Sequence, residues 1–348
     1  MFFQGKIFLS AALLILICTA GFSQFNDGIK WNKDGKSFLS LKNGNIIQVS
    51  VPDNAETVVV AGVKLVPPGQ EKPLAIRSFS FSEDNQKLLI FTNAKKVWRY
   101  YTRGDYWVYN IQTGSLTQLG KSLPASSLMF AKFSPDGAKA GYVSGNNLYT
   151  EDLSSNQIKQ LSFDGTRKLI NGTFDWVYEE EFGCRDGFRW SPDSKQLAYW
   201  QIDAKETKDY LMLNTTDSIY PKAIPVEYPV AGEAPSPYKI GVVDISTAKT
   251  KWMDIPTDAV WRTYVPRMEW AANNNELIIQ HLNRKQNESD IMLCDVATGA
   301  SHTIYSEKDA AWIDIVSNWD DGYKMGGWDW LKEGKEFLWA GDKDGWRH

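Results

Sequence analysis

Six stretches of this chain repeat one pattern of apolar and polar positions. WNKDGKSFL from Trp31, FSEDNQKLLIF from Phe81, FSPDGAKAGYV from Phe133, WSPDSKQLAYW from Trp190, WAANNNELII from Trp270 and WLKEGKEFLWA from Trp330 share it. Each opens on an aromatic residue, passes through a short polar stretch and returns as an apolar or alternating run. The polar stretches hold Pro, Asp, Asn and Gly, which favour turns through a fixed φ, side-chain bonds to the backbone or a positive φ. The pattern predicts a β-hairpin at each position. A second element follows several of them: YWVYNIQTGSLTQL, NLYTEDLSSNQIKQL, IGVVDISTAKTKWM and IMLCDVATGASHTI. There a strand ends near Asp or Asn, turns through small residues and returns as another strand.

Two hairpins per unit make a four-stranded antiparallel sheet. Successive aromatic starts lie roughly 50 to 60 residues apart, apart from one gap of about 80, which is the period of β-propeller blades. The expected fold is therefore all-β, a propeller of four-stranded antiparallel blades. A β-sandwich would need fewer strands and no long-period repeat. The long gap, between Trp190 and Trp270, holds NTTDSIYPKAIPVEYPVAGEAPSPYK and predicts an extended excursion over the surface. The recurring Trp31, Trp190, Trp270 and Trp330 are expected in the core.

The N-terminus changes the picture of where such a protein works. Lys6 precedes the apolar run IFLSAALLILICTA, and small residues follow at Ala20, Gly21 and Ser23. This is the pattern of a cleaved secretory leader, too short and wrongly flanked to span a membrane. Residues 1–23 are expected to be the signal peptide and 25–348 the propeller, in a secreted or periplasmic protein. A lipid anchor on Cys18 is the rival reading, weakened by the bulky Ile17 before it. Past the leader only Cys184 and Cys294 remain, so at most one bridge is possible. A formal net charge of −4 argues against a nucleic-acid partner.

Candidate chemistry is sparse. No G-x-S-x-G elbow occurs. The three histidines, His281, His302 and His348, are scattered, and no Cys/His cluster has metal-ligand spacing. No cofactor is expected. The sequons at Asn171, Asn214 and Asn287 would carry glycans only in a eukaryotic secretory route. Cys184 reads as a small packing residue, since free cysteine is usually buried and inert.

One stretch is unusual. FDWVYEEEFGCRDGFRW places Glu179, Glu180 and Glu181 in a row between aromatic residues. Charge runs usually face solvent. A strand would send neighbouring carboxylates to opposite faces, whereas a helical turn separates them by only about 100°. Two carboxylates pressed together repel each other and invite a cation. The α-ammonium of a peptide, with a pKa of about 8 and three donors, is such a cation. The pair can thus measure where a peptide chain begins.

These residues carry a resemblance. FDWVYEEEF followed by FRWSPD is similar to the dipeptidyl peptidase IV branch of the prolyl oligopeptidase family. So are KKVWRYYTRGDYWVYN, SSLMFAKFSPDG, YPKAIPVEYPVAG and DGWRH, in collinear order over nearly the whole chain. The resemblance implies an eight-bladed N-terminal propeller joined to a C-terminal α/β-hydrolase domain with a Ser-Asp-His triad. It implies release of dipeptides from peptide N-termini with Pro or Ala as the penultimate residue, and an enzyme that is often a homodimer. It assigns the amine clamp to Glu180 and Glu181, and the hold on a substrate backbone carbonyl to Arg99. Before the resemblance is counted, Arg99 reads equally as a surface ion pair. The chain shows about six of the eight blade starts before His348 and no hydrolase domain, and most of the family's acidic, aromatic lead-in before the first blade is missing. The expectation is therefore a substrate-gating and N-terminus-recognising propeller whose catalytic residues lie outside this sequence. The alternative is a free-standing periplasmic propeller that binds a peptide or protein without catalysis. A reading frame with G-x-S-x-G directly downstream of His348 would discriminate between them.

Overall fold

The polar turns show why the repeat folds as it does in the computed structural model, which describes residues 30–32, 34–258, 263–315, 328–341 and 343–346. Ser82, Ser134 and Ser191 each donate a hydroxyl to the Asp two residues on, at 2.5, 2.6 and 2.7 Å. The same Asp oxygens of Asp84, Asp136 and Asp193 accept the amides of Gln86, Ala138 and Lys195. Side chains thus replace the ladder bonds that a tight reversal leaves open. The second kind of turn uses Asn110, Asp152, Asp244 and Asp295. Each accepts an amide three residues on, from Thr113, Ser155, Thr247 and Thr298. Both turn types follow from short polar side chains placed where a strand must reverse.

The chain divides into two compact units, the first ending at Leu74. The first holds β1 (Lys30–Trp31), β2 (Ser37–Lys42), β3 (Asn45–Ser50) and β4 (Glu56–Val60), an antiparallel meander in sequence order. Ile46, Ile47, Val49, Val60 and Leu65 form its buried side. Trp31, expected in the core, is instead 59% exposed. It sits on a two-residue edge strand and packs edge-on against Phe38 of β2, ring centroids 5.4 Å apart.

The second unit begins with β5 (Ile76–Phe81), β6 (Lys87–Val97), β7 (Tyr100–Asn110) and β8 (Leu116–Gln118), then β9 (Leu128–Phe133), β10 (Lys139–Ser144), β11 (Asn147–Asp152) and β12 (Ile158–Gln160). These are two blades, yet they form one eight-stranded sheet, because β7 also pairs with β9 at Arg103–Met129 and Gly104–Leu128. The overlong β6 and β7 make this possible. Gly104 is needed there: a Cβ would lie 2.5 Å from the Phe91 ring and 2.6 Å from the Thr92 carbonyl.

Next come β13 (Leu169–Asn171), the only α-helix among the described residues, α1 (Trp176–Phe182), then β14 (Phe188–Trp190) and β15 (Gln196–Asp203). After β16 (Asp209–Asn214) and β17 (Lys222–Glu227), β18 (Tyr238–Asp244) and β19 (Thr250–Trp252) complete this blade, with β13 added to β15. The surface excursion predicted for the long gap contains regular structure. β16 and β17 pair with each other over six residues each, including Pro225, and form a separate two-stranded hairpin. A proline is tolerated there because a two-stranded ribbon has only edge strands.

A further blade follows as β20 (Tyr264–Trp270), β21 (Glu276–Leu282), β22 (Glu288–Asp295) and β23 (Ser301–Lys308), and then one hairpin, β24 (Trp328–Leu331) with β25 (Glu336–Trp339). The first two strands of every blade flank one of the six turns named above. The architecture is an all-β propeller of four-stranded antiparallel blades.

The largest buried cluster spans α1 and the two blades that follow it. Trp200 is fully buried, packs on Phe174 at 5.1 Å and donates its Nε1–H to the Val265 carbonyl at 2.8 Å. Trp190 and Trp270 are buried as expected, while Trp330 is half-buried against Phe337. Cys184 and Cys294 are both free and buried. The leader at 1–23 and His348 lie outside the described residues.

Candidate functional site

The acidic run folds as α1, and its local sequence explains where that helix starts and stops. Asp175, in extended conformation, accepts the Tyr178 amide at 3.1 Å and caps the first turn. Gly183, at φ +66°, closes the helix in the left-handed conformation that glycine enters without strain, and its amide bonds the Glu179 carbonyl at 3.1 Å. Val177, Tyr178 and Phe182 face the core. Tyr178 stacks on Phe174 at 5.4 Å, and Phe182 meets Tyr264 edge-on at 5.1 Å. With that face buried, Glu180 and Glu181 are left on the exposed side of the helix.

Glu179 plays a different part from its two neighbours. Only 10% of its side chain is exposed, and its carboxylate lies 3.8 Å from Nε of Arg185. Burial raises its pKa from 4.5 to about 7, with Arg185 opposing the shift and Glu180 adding to it. It therefore belongs to the packing of the helix.

Arg99 reaches the same helix from the tip of the β6–β7 hairpin. Its Nη2 donates to Glu180 Oε1 at 2.7 Å, across 81 residues of sequence. The adjacent Tyr100 receives the Arg185 guanidinium over its ring at 3.5 Å. Two contacts thus seat the hairpin tip on α1: Arg99 on Glu180, and Tyr100 on the Arg185 that also faces Glu179.

Glu181 borders a cavity of about 260 Å³. Trp176, Tyr228, Tyr264 and Arg284 are among its other walls. Trp176 packs on Tyr228 at 4.4 Å, and the Arg284 guanidinium donates to the Tyr264 hydroxyl. Burial pushes the Tyr264 phenol up, Arg284 opposes the shift and Glu181 adds to it. Arg185 and Tyr228 lie in stretches the sequence marks without pointing to these residues, and Tyr264 and Arg284 come from segments without a sequence signal of their own. Arg185 follows α1 directly, and folding brings the stretches of Tyr228, Tyr264 and Arg284 around the helix. The structure thus gathers Arg99, Glu180 and Glu181 on one face.

A second polar cluster lies beside this site. Lys132 on β9 is half-buried against Asp186 at 2.6 Å and the Phe188 carbonyl at 2.8 Å, and Arg189 on β14 meets Glu269 on β20 at 2.6 Å. Desolvation lowers the Lys132 pKa to about 8. The bonds run between first strands of successive blades and tie those blades side by side. Among the described residues no three His, Cys, Asp or Glu side chains gather closely enough to hold a metal ion. Of the sequons, Asn171 is fully buried, with its amide on the Asn146 carbonyl and Asp164, so a glycan cannot sit there in the folded chain.

Comparison with known proteins puts this geometry in context. Residues 82–348 match the family model described as the dipeptidyl peptidase IV N-terminal region. Curated relatives include the mouse inactive dipeptidyl peptidase 10, 27% identical over 299 residues, covering 84% of this chain and 36% of the relative. The Saccharomyces cerevisiae dipeptidyl aminopeptidase B is 26% identical over 306 residues, covering 83% of this chain and 36% of the relative. The crystal structure of Porphyromonas gingivalis dipeptidyl peptidase 4 superposes with a TM-score of 0.82 at 24% identity, covering 95% of this chain and 46% of that one, a likeness of fold. The chain thus spans about a third of the length of these curated relatives. With more than three-quarters of its residues inside the matched region, the chain belongs to the dipeptidyl peptidase IV N-terminal region family.

Proposed function

We propose that this propeller recognises the free N-terminus of peptide substrates for a dipeptidyl-peptidase-type serine exopeptidase. In this reading Glu180 and Glu181 bind the α-ammonium and Arg99 holds a backbone carbonyl. The single observation that carries it is the division of labour along α1. Glu179 is drawn into the fold by burial and Arg185, while Glu180 and Glu181 stay exposed on the same helix, at the rim of a cavity. Adjacent exposed carboxylates repel each other, and a substrate ammonium relieves that repulsion as it binds. Arg99 has five N–H donors, so it can keep its bond to Glu180 and still offer others to a carbonyl.

Fixing the amine sets the distance from the peptide's end to its second peptide bond. A nucleophile held at that distance then cuts after two residues, an advantage of positioning. That nucleophile, with its His and Asp, would come from the α/β-hydrolase domain implied by the family resemblance. The propeller would also gate access to it. The same reading puts the protein in the periplasm or outside the cell, delivered by the leader at 1–23, and acting as a homodimer.

Calorimetric titration of the chain with a short Ala-Pro-initiated peptide, free and N-acetylated, tests amine recognition. The free peptide is expected to bind at least about tenfold more tightly, the scale of one charge-assisted hydrogen bond. Equal affinities would reject it.

A further inference from the structure

The cavity beside Glu181 holds a positive charge that the proposed amine clamp leaves unused. Arg284 is half-buried on its wall. Its Nη1 donates to the Tyr264 hydroxyl, its Nη2 donates to the Glu233 carbonyl at 3.3 Å, and its guanidinium lies 5.7 Å from the Tyr264 ring centre. These bonds engage two of five donors. Among the described residues no carboxylate forms an ion pair with it. Two other enclosed cations in this unit meet carboxylates, Arg189 on Glu269 at 2.6 Å and Lys132 on Asp186 at 2.5 Å, while the buried Arg267 donates to the Phe182 and Pro266 carbonyls at 3.1 and 2.8 Å. A guanidinium set among Trp176, Tyr228 and Tyr264 is poorly hydrated, so an anionic partner gains more there than at an open surface.

We infer that this cavity receives the side chain of the substrate's first residue and that Arg284 selects an acidic one, glutamate or aspartate. The inference rests on the proposed amine clamp. If Glu181 holds the α-ammonium at the cavity's rim, the side chain on that same α-carbon is the group nearest the opening. Glu181 by itself would repel an acidic side chain, and Arg284 is the cavity residue that offsets this. The two walls then match a zwitterionic end, ammonium toward Glu181 and carboxylate toward Arg284. A guanidinium binds a carboxylate through two parallel N–H bonds, which adds direction as well as charge. The aromatic walls exclude the water that would otherwise compete.

The test compares Glu-Pro and Gln-Pro peptides of otherwise identical sequence, each free and N-acetylated, titrated against the full chain at pH 7. The free Glu peptide is expected to bind about tenfold more tightly than its Gln counterpart. That preference should vanish in Arg284→Gln, and should shrink in Arg284→Lys, whose point charge lacks the fork. The Glu/Gln ratio on the unaltered chain needs no variant to fold. Equal binding of the two free peptides, with acetylation still weakening both, overturns the role of Arg284 and leaves the amine clamp standing. A preference that persists undiminished in Arg284→Gln also overturns it. Insensitivity of every peptide to acetylation overturns the clamp, and this inference with it.

Discussion

Arg99 Nη2 and Glu180 Oε1 lie 2.7 Å apart although 81 residues of sequence separate them. The pair joins the tip of an overlong hairpin to a two-turn helix. Two-thirds of the Arg99 side chain is solvent-exposed, so the pair itself stabilises the fold little. In the proposed reading, its value lies in holding one cation and one anion where a peptide's carbonyl and amine can meet them.

Arg99→Ala is accordingly expected to change unfolding free energy by less than about 1 kcal/mol, the usual scale of an exposed ion pair. The same variant should weaken binding of a free-amine peptide about tenfold, the scale of a hydrogen bond to a charged group. Chemical denaturation and calorimetric titration on one preparation separate the two effects. A large loss of stability with unaltered binding would make Arg99 a structural residue only.

Stability should depend on pH from both sides. Glu179, raised by burial to about 7, binds its proton more readily folded than unfolded. Its contribution is fully present below about 4.5 and is lost as pH rises through 7. The turn carboxylates Asp84, Asp152, Asp244 and Asp295 are held below their usual range, first by the hydroxyls of Ser82, Ser154, Ser246 and Thr298. Their contribution is present above about 3.8 and is lost as pH falls through their folded values. Thermal unfolding should therefore be most resistant near about pH 4 to 4.5 and lose resistance between about 4.5 and 7, and Glu179→Gln should flatten that alkaline side alone. An unchanged profile in that variant would contradict the burial assigned to Glu179.

Cys184 and Cys294 should be inert in the folded chain. Burial pushes their thiols up to about 11 and about 12, so almost no thiolate exists at pH 8. Alkylation followed by peptide mapping should modify neither residue until denaturant is added. Rapid native labelling at Cys184 would contradict its enclosure beside Phe182 and Pro266.

The β16–β17 hairpin is expected to drive self-association. Leu211, Leu213, Ile219 and Tyr220 are between 62% and 97% exposed, an apolar display unusual for a monomer. Its base is pinned by Arg167 to Asp209 and Glu227, so the display does not fold back. Ile219→Asp with Tyr220→Asp should shift sedimentation toward monomer and leave stability within about 0.5 kcal/mol. Unchanged sedimentation would remove the hairpin from any interface.

The blade hairpins were legible because their information is local. An Asp or Asn two or three residues from the amide it accepts is visible as spacing, and the aromatic starts recur with the blade. The helical form of the acidic run was legible for a similar reason, since only a helix turns neighbouring carboxylates to one side. The pairing of β7 with β9 was not, because it depends on Gly104 admitting the Phe91 ring. The paired strands around Pro225 were hidden by composition that reads as loop, and Trp31 by an edge position that a repeat does not reveal. Separating Glu179 from Glu180 and Glu181 by residue role needed the resemblance, and its physical cause, Arg185 and burial, needed the fold. Tyr264 and Arg284 lie 82 and 102 residues beyond the end of α1, and no local pattern marks them.

The amine clamp is tested most directly by a double-mutant cycle between Glu181→Gln and N-acetylation of an Ala-Pro peptide, followed by titration calorimetry. Each change alone should weaken binding about ten- to a hundred-fold, because each removes one side of a charge-assisted bond worth roughly 1.5–3 kcal/mol. Together they should cost little more than either alone, since both remove the same interaction. Glu180→Gln should behave alike, and Glu179→Gln should leave affinity near that of the unaltered chain. Losses that add in full, or free-amine peptides bound equally well by the Glu181→Gln chain, would contradict the clamp and return the acidic run to a solvated turn.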